Sequence, residues 1–176
     1  MKKLLTIILV GVVLSSCTEI VFEEAQPAGA KALKEIPKEF HGKFGLVILN
    51  EESIMEITAN SITNDDGMAY LSDSLIIKKL DNRYVLSRKQ LEGEGDKYGT
   101  WQTYVLEDKG CGFVKATSFF INSDSYTEQF TQLYPDNTFI DEGQNKTIII
   151  KPTADQFKSL VADDSVTVSM ILERLN

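Results

Sequence analysis

The chain holds one histidine, His41, and two cysteines, Cys17 and Cys111. These three residues decide most of the chemistry open to it. A Ser-His-Asp or Cys-His arrangement needs a histidine base, so any such site would have to use His41. His41 stands at the start of the first strand-like run, and no Gly-x-Ser-x-Gly turn occurs to present a serine. It therefore reads as structural or solvent-facing. Zinc sites need clusters of His and Cys, and those residues are too few. Oxygen ligands for calcium abound, but an EF-hand built on "TNDDG" (63–67) would need aspartate five residues before Gly67, where Ile62 stands. That stretch reads as a hairpin turn. "GEGDKYG" (93–99) has Tyr98 where a dinucleotide fingerprint needs its third glycine, and it lacks Gly-Lys-Ser/Thr, so it reads as a hairpin loop. Cys111 lies between glycines in "EDKGCGFVK", with Lys109 near but no histidine to lower its pKa. It reads as a small residue at a strand start, beside a turn. No catalytic, metal or cofactor residue is assigned, and the expectation is a protein that is not an enzyme.

Cys17 is different. Lys2 and Lys3 precede an apolar stretch from Leu4 to Leu14, and Ser15, Ser16 and Cys17 follow. A short positive region, a short apolar core and small residues make a secretory signal. The core is about 11 residues, and at ~1.5 Å rise per residue it covers only about half of a ~30 Å hydrocarbon layer. It is a poor permanent membrane helix.

Leu14-Ser15-Ser16-Cys17 resembles the lipobox of bacterial lipoproteins. That resemblance implies a signal peptide over residues 1–16, cleavage before Cys17, and acylation of Cys17 as the new first residue. Two or more acyl chains, such as palmitate, give stable anchoring in a lipid bilayer where one gives only marginal binding. Thr18 is not the aspartate that resembles an inner-membrane retention mark, so outer-membrane sorting is implied. Glu19, Glu23 and Glu24 resemble the acidic surface-export signal of Bacteroidota lipoproteins, although Ile20, Val21 and Phe22 interrupt them. The periplasmic and surface faces both stay open.

Removal of residues 1–16 takes away two lysines and no acid, leaving 16 basic against 26 acidic side chains, a net of −10. A chain this acidic repels nucleic acid and anionic lipid faces. With Cys17 acylated, Cys111 has no internal disulfide partner. The remaining length fits one domain.

Residues 17–36 lack a strand pattern and read as an acylated N-terminus and tether, leaving 37–176 as a single β-rich domain. From Phe40 onward, short β-like runs alternate with turn signals. The runs are "KFGLVIL" (43–49), "SIMEIT" (53–58), "SLIIKKL" (74–80), "RYVLSRK" (83–89), "TWQTYVLE" (100–107), "GFVKATSFF" (112–120), "KTIIIK" (146–151) and "SVTVSMIL" (165–172). "DN" at 81–82 and "DKGC" at 108–111 are hairpin signals. Residues 122–139 are polar, aromatic and turn-rich, with no clear period. Thr153 and Gln156 form a capping box, and Phe157, Leu160 and Val161 share one helical face, so a short helix precedes the last strand. Several runs, "TWQTYVLE" above all, are apolar on both faces. A single open sheet would leave one face wet, so closure is expected, into a small antiparallel barrel or a sandwich.

"IPKEFHGKFGLV" (36–47) resembles the start of a lipocalin-like barrel, with Gly42 and Phe44 in place of that family's Gly-x-Trp and the Trp itself absent. Small lipocalin-like lipoproteins of Bacteroidota are similar in layout. The expectation is a membrane-anchored, non-enzymatic envelope lipoprotein that binds a small apolar ligand or a protein partner through this scaffold. If there is a cavity, Trp101, Tyr104, Phe113 and Phe119 are the aromatics to line it. The alternative is a structural or accessory subunit of an outer-membrane assembly, with no ligand cavity.

Overall fold

A computed structural model of the chain describes residues 18–48, 51–65, 67–91, 97–141 and 146–175. The signal segment, Cys17, Leu49 of "KFGLVIL", Asp66 of "TNDDG" and residues 93–96 of "GEGDKYG" lie outside the described residues.

Twelve strands among the described residues form one sheet: β1 (Thr18–Phe22), β2 (Gly42–Ile48), β3 (Glu51–Ile57), β4 (Ser61–Asn64), β5 (Gly67–Tyr70), β6 (Leu75–Leu80), β7 (Arg83–Lys89), β8 (Trp101–Gly110), β9 (Phe113–Ile121), β10 (Thr138–Asp141), β11 (Lys146–Ile150) and β12 (Thr167–Arg174). Helices α1 (Asp124–Leu133) and α2 (Ala154–Val161) lie between the later strands.

Nine strands make a nearly closed antiparallel barrel. From β2 one arm runs through β3 and β4 to β5, and the other through β12, β9, β8 and β7 to β6. The arms end at β5 and β6, linked by a turn that the isolated bridge Ser72↔Leu75 closes; among the described residues the two strands do not pair with each other. This is the seam of the barrel.

The hairpins follow from turn chemistry. Asp81 and Asn82 connect β6 to β7 as a two-residue loop between the paired Leu80 and Arg83, with Asp81 at φ 54°. Cys111 and Gly112 do the same between Gly110 and Phe113, at φ 54° and 86°. Two positive φ values in succession match the twist of the flanking strands. Cys111 thus sits in the turn itself rather than at a strand start, and it is exposed.

β6, β7 and β8 are buried on both faces, which is why "TWQTYVLE" carries apolar residues at every level. Leu86, Leu106, Val114 and Leu172 face the barrel interior with Ile57, Leu75 and Ile77. Val85, Trp101 and Val105 face outward into a second core, roofed by α1, α2 and β1. There Phe22 meets Phe119 and Phe157 edge-on, at centroid distances of 5.4 and 5.6 Å.

The stretch 18–36, read from sequence as a tether, belongs to the folded body. β1 wedges into the fork where β8 and β9 part: Phe22 stands opposite Trp101, and Thr18 opposite Ile121. It also pairs in parallel with β11 along its whole length. Five residues flanked by Glu, Ala, Gly and Pro carry too little pattern to announce a strand, and a parallel partner over 120 residues away gives no local signal. The following loop is fixed by Lys78, whose ammonium donates to the carbonyls of Ala25 at 2.6 Å and Pro27 at 3.0 Å. Burial holds the Lys78 pKa down, against the pull of Glu24.

α2 is capped as its sequence implies: Thr153 Oγ1 accepts from the Gln156 amide at 3.3 Å, and Gln156 Oε1 accepts from the Thr153 amide at 2.8 Å. α1 falls in the stretch without a clear period. Its buried face is narrow, made by Tyr126, Thr127, Phe130 and Tyr134, and Phe130 and Tyr134 stack at 4.8 Å.

Candidate functional site

The barrel interior is not filled. An open cavity of about 800 Å³ occupies it. Alternation along the strands decides what faces it. Ser53, Met55 and Ile57 project from β3, Leu86 and Arg88 from β7, Gln102, Tyr104 and Leu106 from β8, Val114 and Ala116 from β9, and Met170 and Leu172 from β12. The deep wall is apolar: Ile57, Leu75, Leu86, Leu106, Val114 and Leu172 are all buried. Ser53, Asn64, Ser72, Ser74, Arg88 and Gln102 supply the polar part, and Met68, Tyr70 and Leu91 are exposed apolar residues of the lining.

The opposite end of the interior is stoppered. Phe40, in a single 3-10 turn over Lys38–Phe40, packs edge-on against Tyr84 at 5.4 Å, beside the buried Ile36 and Phe44. His41 belongs to this plug. Its Nε2 donates to the Ile36 carbonyl at 2.7 Å, which fixes the chain leading into β2.

β1 also holds a polar residue of the wall, Gln102. Glu19 accepts from Gln102 Nε2 at 3.0 Å and pairs with Lys97 Nζ at 2.6 Å. Tyr104 is the next inward residue after Gln102. Burial pushes its phenol pKa up, Arg88 pulls it the other way and Glu19 reinforces the rise. Tyr104 therefore keeps its proton throughout the physiological range and is a hydrogen-bond donor in an otherwise apolar wall.

Of the four aromatics considered from sequence, Tyr104 lines the cavity. Trp101 and Phe119 point the other way, into the second core, because they occupy the outward parity of β8 and β9. Trp101 stands opposite Lys89, whose ammonium lies 5.8 Å from the indole centroid. Phe113 is at the far hairpin of β9 and is 38% exposed. Sequence reasoning missed Met55, Leu86, Arg88, Leu106 and Met170. Their signal was present in the period-2 alternation of β3, β7, β8 and β12, but which parity faced inward was not.

Among the described residues no group of three or more His, Cys, Asp or Glu side chains could hold a metal ion, and no helix is long and apolar enough to cross a membrane. No protein-family model, curated protein or solved structure matches the chain. What the fold and cavity define is a class of architecture, a mainly β protein whose nearly closed antiparallel barrel is open to the size of ligand that such scaffolds hold.

Proposed function

We propose that this protein is an envelope lipoprotein, anchored through an acylated Cys17, whose barrel takes a small apolar ligand into its interior. The observation that carries the ligand half is the cavity of about 800 Å³ with its buried aliphatic wall. Sites for small molecules are concave, mostly apolar and of this order of volume, with a few placed polar groups. The anchor half is supported by the lipobox residues 14–17 alone. On this reading Cys17 is joined directly to the fully buried Thr18, so the barrel is mounted at the membrane rather than on a leash.

Two measurements test it. Metabolic labelling with palmitate should mark the wild-type chain and leave Cys17→Ala unmarked. The neutral fluorophore N-phenyl-1-naphthylamine should brighten on the Cys17→Ala chain and saturate at one site per molecule. Unlabelled wild type overturns the anchor, and an unchanged fluorophore overturns the ligand site.

A second reading, an accessory subunit of an outer-membrane assembly, is favoured by one surface. Ile54 on β3 is 50% exposed, Ile171 on β12 is 51% exposed and Leu175 is 41% exposed. Ile54 stands opposite Gly45 on β2, and the Leu175 side chain covers that glycine. Photocrosslinking from position 54 in whole cells, with a discrete higher-mass product, would support this role.

A further inference from the structure

Resting on the ligand-binding reading above, we infer that the ligand carries an uncharged hydrogen-bond acceptor, a ketone, ester or ether oxygen, partway along an apolar body, and that Tyr104 donates to it.

The first argument is an account of the polar lining. A polar side chain in a largely apolar wall needs a partner, and most of those around this cavity find one within the protein. Ser53 donates to Asp65 at 3.3 Å, and the Ser72 and Ser74 hydroxyls meet at 3.0 Å. Gln102 gives its amide nitrogen to Glu19 at 3.0 Å. The Lys89 ammonium lies over the outward-facing Trp101. Asn64 and Arg88 are engaged with other groups of the protein. Tyr70 is 62% exposed, so water reaches it. Tyr104 is half-buried in the wall, and among the described residues no hydrogen-bond partner meets its hydroxyl.

The second argument is place. Tyr104 stands opposite Leu86 on β7, and Leu106 follows it on the same face of β8. Both leucines are buried, as are Val114 and Leu172 beyond them, and together they suit a hydrocarbon body. Tyr104 is thus the last polar residue of β8 before the aliphatic wall. When an apolar ligand expels water from this wall, the phenol loses its hydrogen bond unless the ligand supplies an acceptor. Burial keeps the phenol protonated, so it donates. An anion is the poorer occupant. A charge in an apolar wall needs a countercharge, and Arg88, the cation on the inward parity of neighbouring β7, already has a partner.

The test uses the whole chain carrying Cys17→Ala, which omits the acyl group, loaded with N-phenyl-1-naphthylamine. Methyl nonyl ketone and the alkene with a methylene in place of its carbonyl oxygen share one shape and differ in the acceptor. Both should displace the fluorophore. Tyr104→Phe should raise the ketone concentration needed about 5-fold, the factor that one hydrogen bond of ~1 kcal/mol gives, and leave the alkene where it was. The infrared carbonyl stretch of the bound ketone, which needs no variant, should lie below its position in alkane solvent. Undecanoate, of equal carbon number but charged, should need a higher concentration than the ketone. Equal shifts for ketone and alkene in a Tyr104→Phe chain that melts normally overturn the uncharged acceptor while leaving the apolar site standing. So does an alkane-like stretch in the wild type, or undecanoate displacing at a lower concentration than the ketone. Failure of both neutral displacers on bound fluorophore overturns the ligand site itself.

Discussion

Ile20 on β1 lies directly opposite Ile148 on β11, and both side chains are buried in the core that roofs the outside of the barrel. The segment just after Cys17 is therefore a structural strand. Its one aromatic, Phe22, has no exposed surface and touches Phe119 and Phe157 edge-on. Phe22→Ala should cost about 3–5 kcal/mol, the usual range for deleting a buried ring. Urea unfolding should show the midpoint falling with little change in slope. A flexible leash at this position would leave the midpoint where it was.

Ala116 faces the cavity from β9, opposite Leu106 on β8. Its methyl leaves room that larger residues on the same parity do not. Ala116→Trp should place an indole in the lumen and abolish binding of N-phenyl-1-naphthylamine. The open side of the cavity gives the ring space, so the stability cost should stay within about 1–3 kcal/mol. Fluorophore titration alongside a thermal melt checks both. Undiminished binding in this variant would mean that the fluorophore reports a different site.

The β8–β9 turn gives opposite signs at neighbouring positions. Cys111 holds φ 54°, a conformation that asparagine adopts far more readily, and it precedes a glycine as the favoured two-residue turn requires. Cys111→Asn should gain ~0.5 kcal/mol, a rise in Tm of about 1–2 °C for a chain this size. Gly112 holds φ 86°, and a Cβ there would come within 3.3 Å of Arg174 Cβ. Gly112→Ala should lose ~1 kcal/mol or more. Differential scanning fluorimetry resolves the two directions.

These turns were legible because their chemistry is local. "DN" and "DKGC" marked the β6–β7 and β8–β9 hairpins, and Thr153 with Gln156 marked the start of α2, all from contacts within a few residues. Burial on both faces of "TWQTYVLE" also foretold closure, since an open sheet would wet one of them. What stayed hidden was non-local. β1 is a strand only because β11 and the fork of β8 and β9 receive it, and its five residues stand beside a loop of Glu, Gln, Pro and Gly. α1 was obscured by polar residues, although Tyr126, Phe130 and Tyr134 recur every four positions. Strand alternation separated Trp101 and Phe119 from Tyr104, but it could not say which set faced the lumen. That choice was made by α1, α2 and β1 covering the other side.

Tyr126 of α1 donates to Asp163 Oδ2 at 2.7 Å, tying the helix to the turn before β12. Burial works against the Asp163 charge, but the bond from Tyr126 and those from Ser165 outweigh it and hold the carboxyl below its ordinary range. The bond to Asp163, with burial second, raises the Tyr126 pKa. A carboxyl whose folded pKa is depressed contributes stability that is present above its unfolded value of about 3.9 and is lost as pH falls through the folded value. A phenol whose folded pKa is raised contributes stability that is present below about 10 and is lost as pH rises through its folded value. Tyr126→Phe should therefore cost ~0.5–1.5 kcal/mol on the plateau between those limits, a modest figure because both groups are partly solvated. The gap between variant and wild type should narrow below pH ~3.9 and again above pH ~10, and urea midpoints measured for both proteins across that range give it directly. A gap that stayed constant from acid to alkali would mean that the ring contacts of Tyr126, and not its hydroxyl, hold α1 in place.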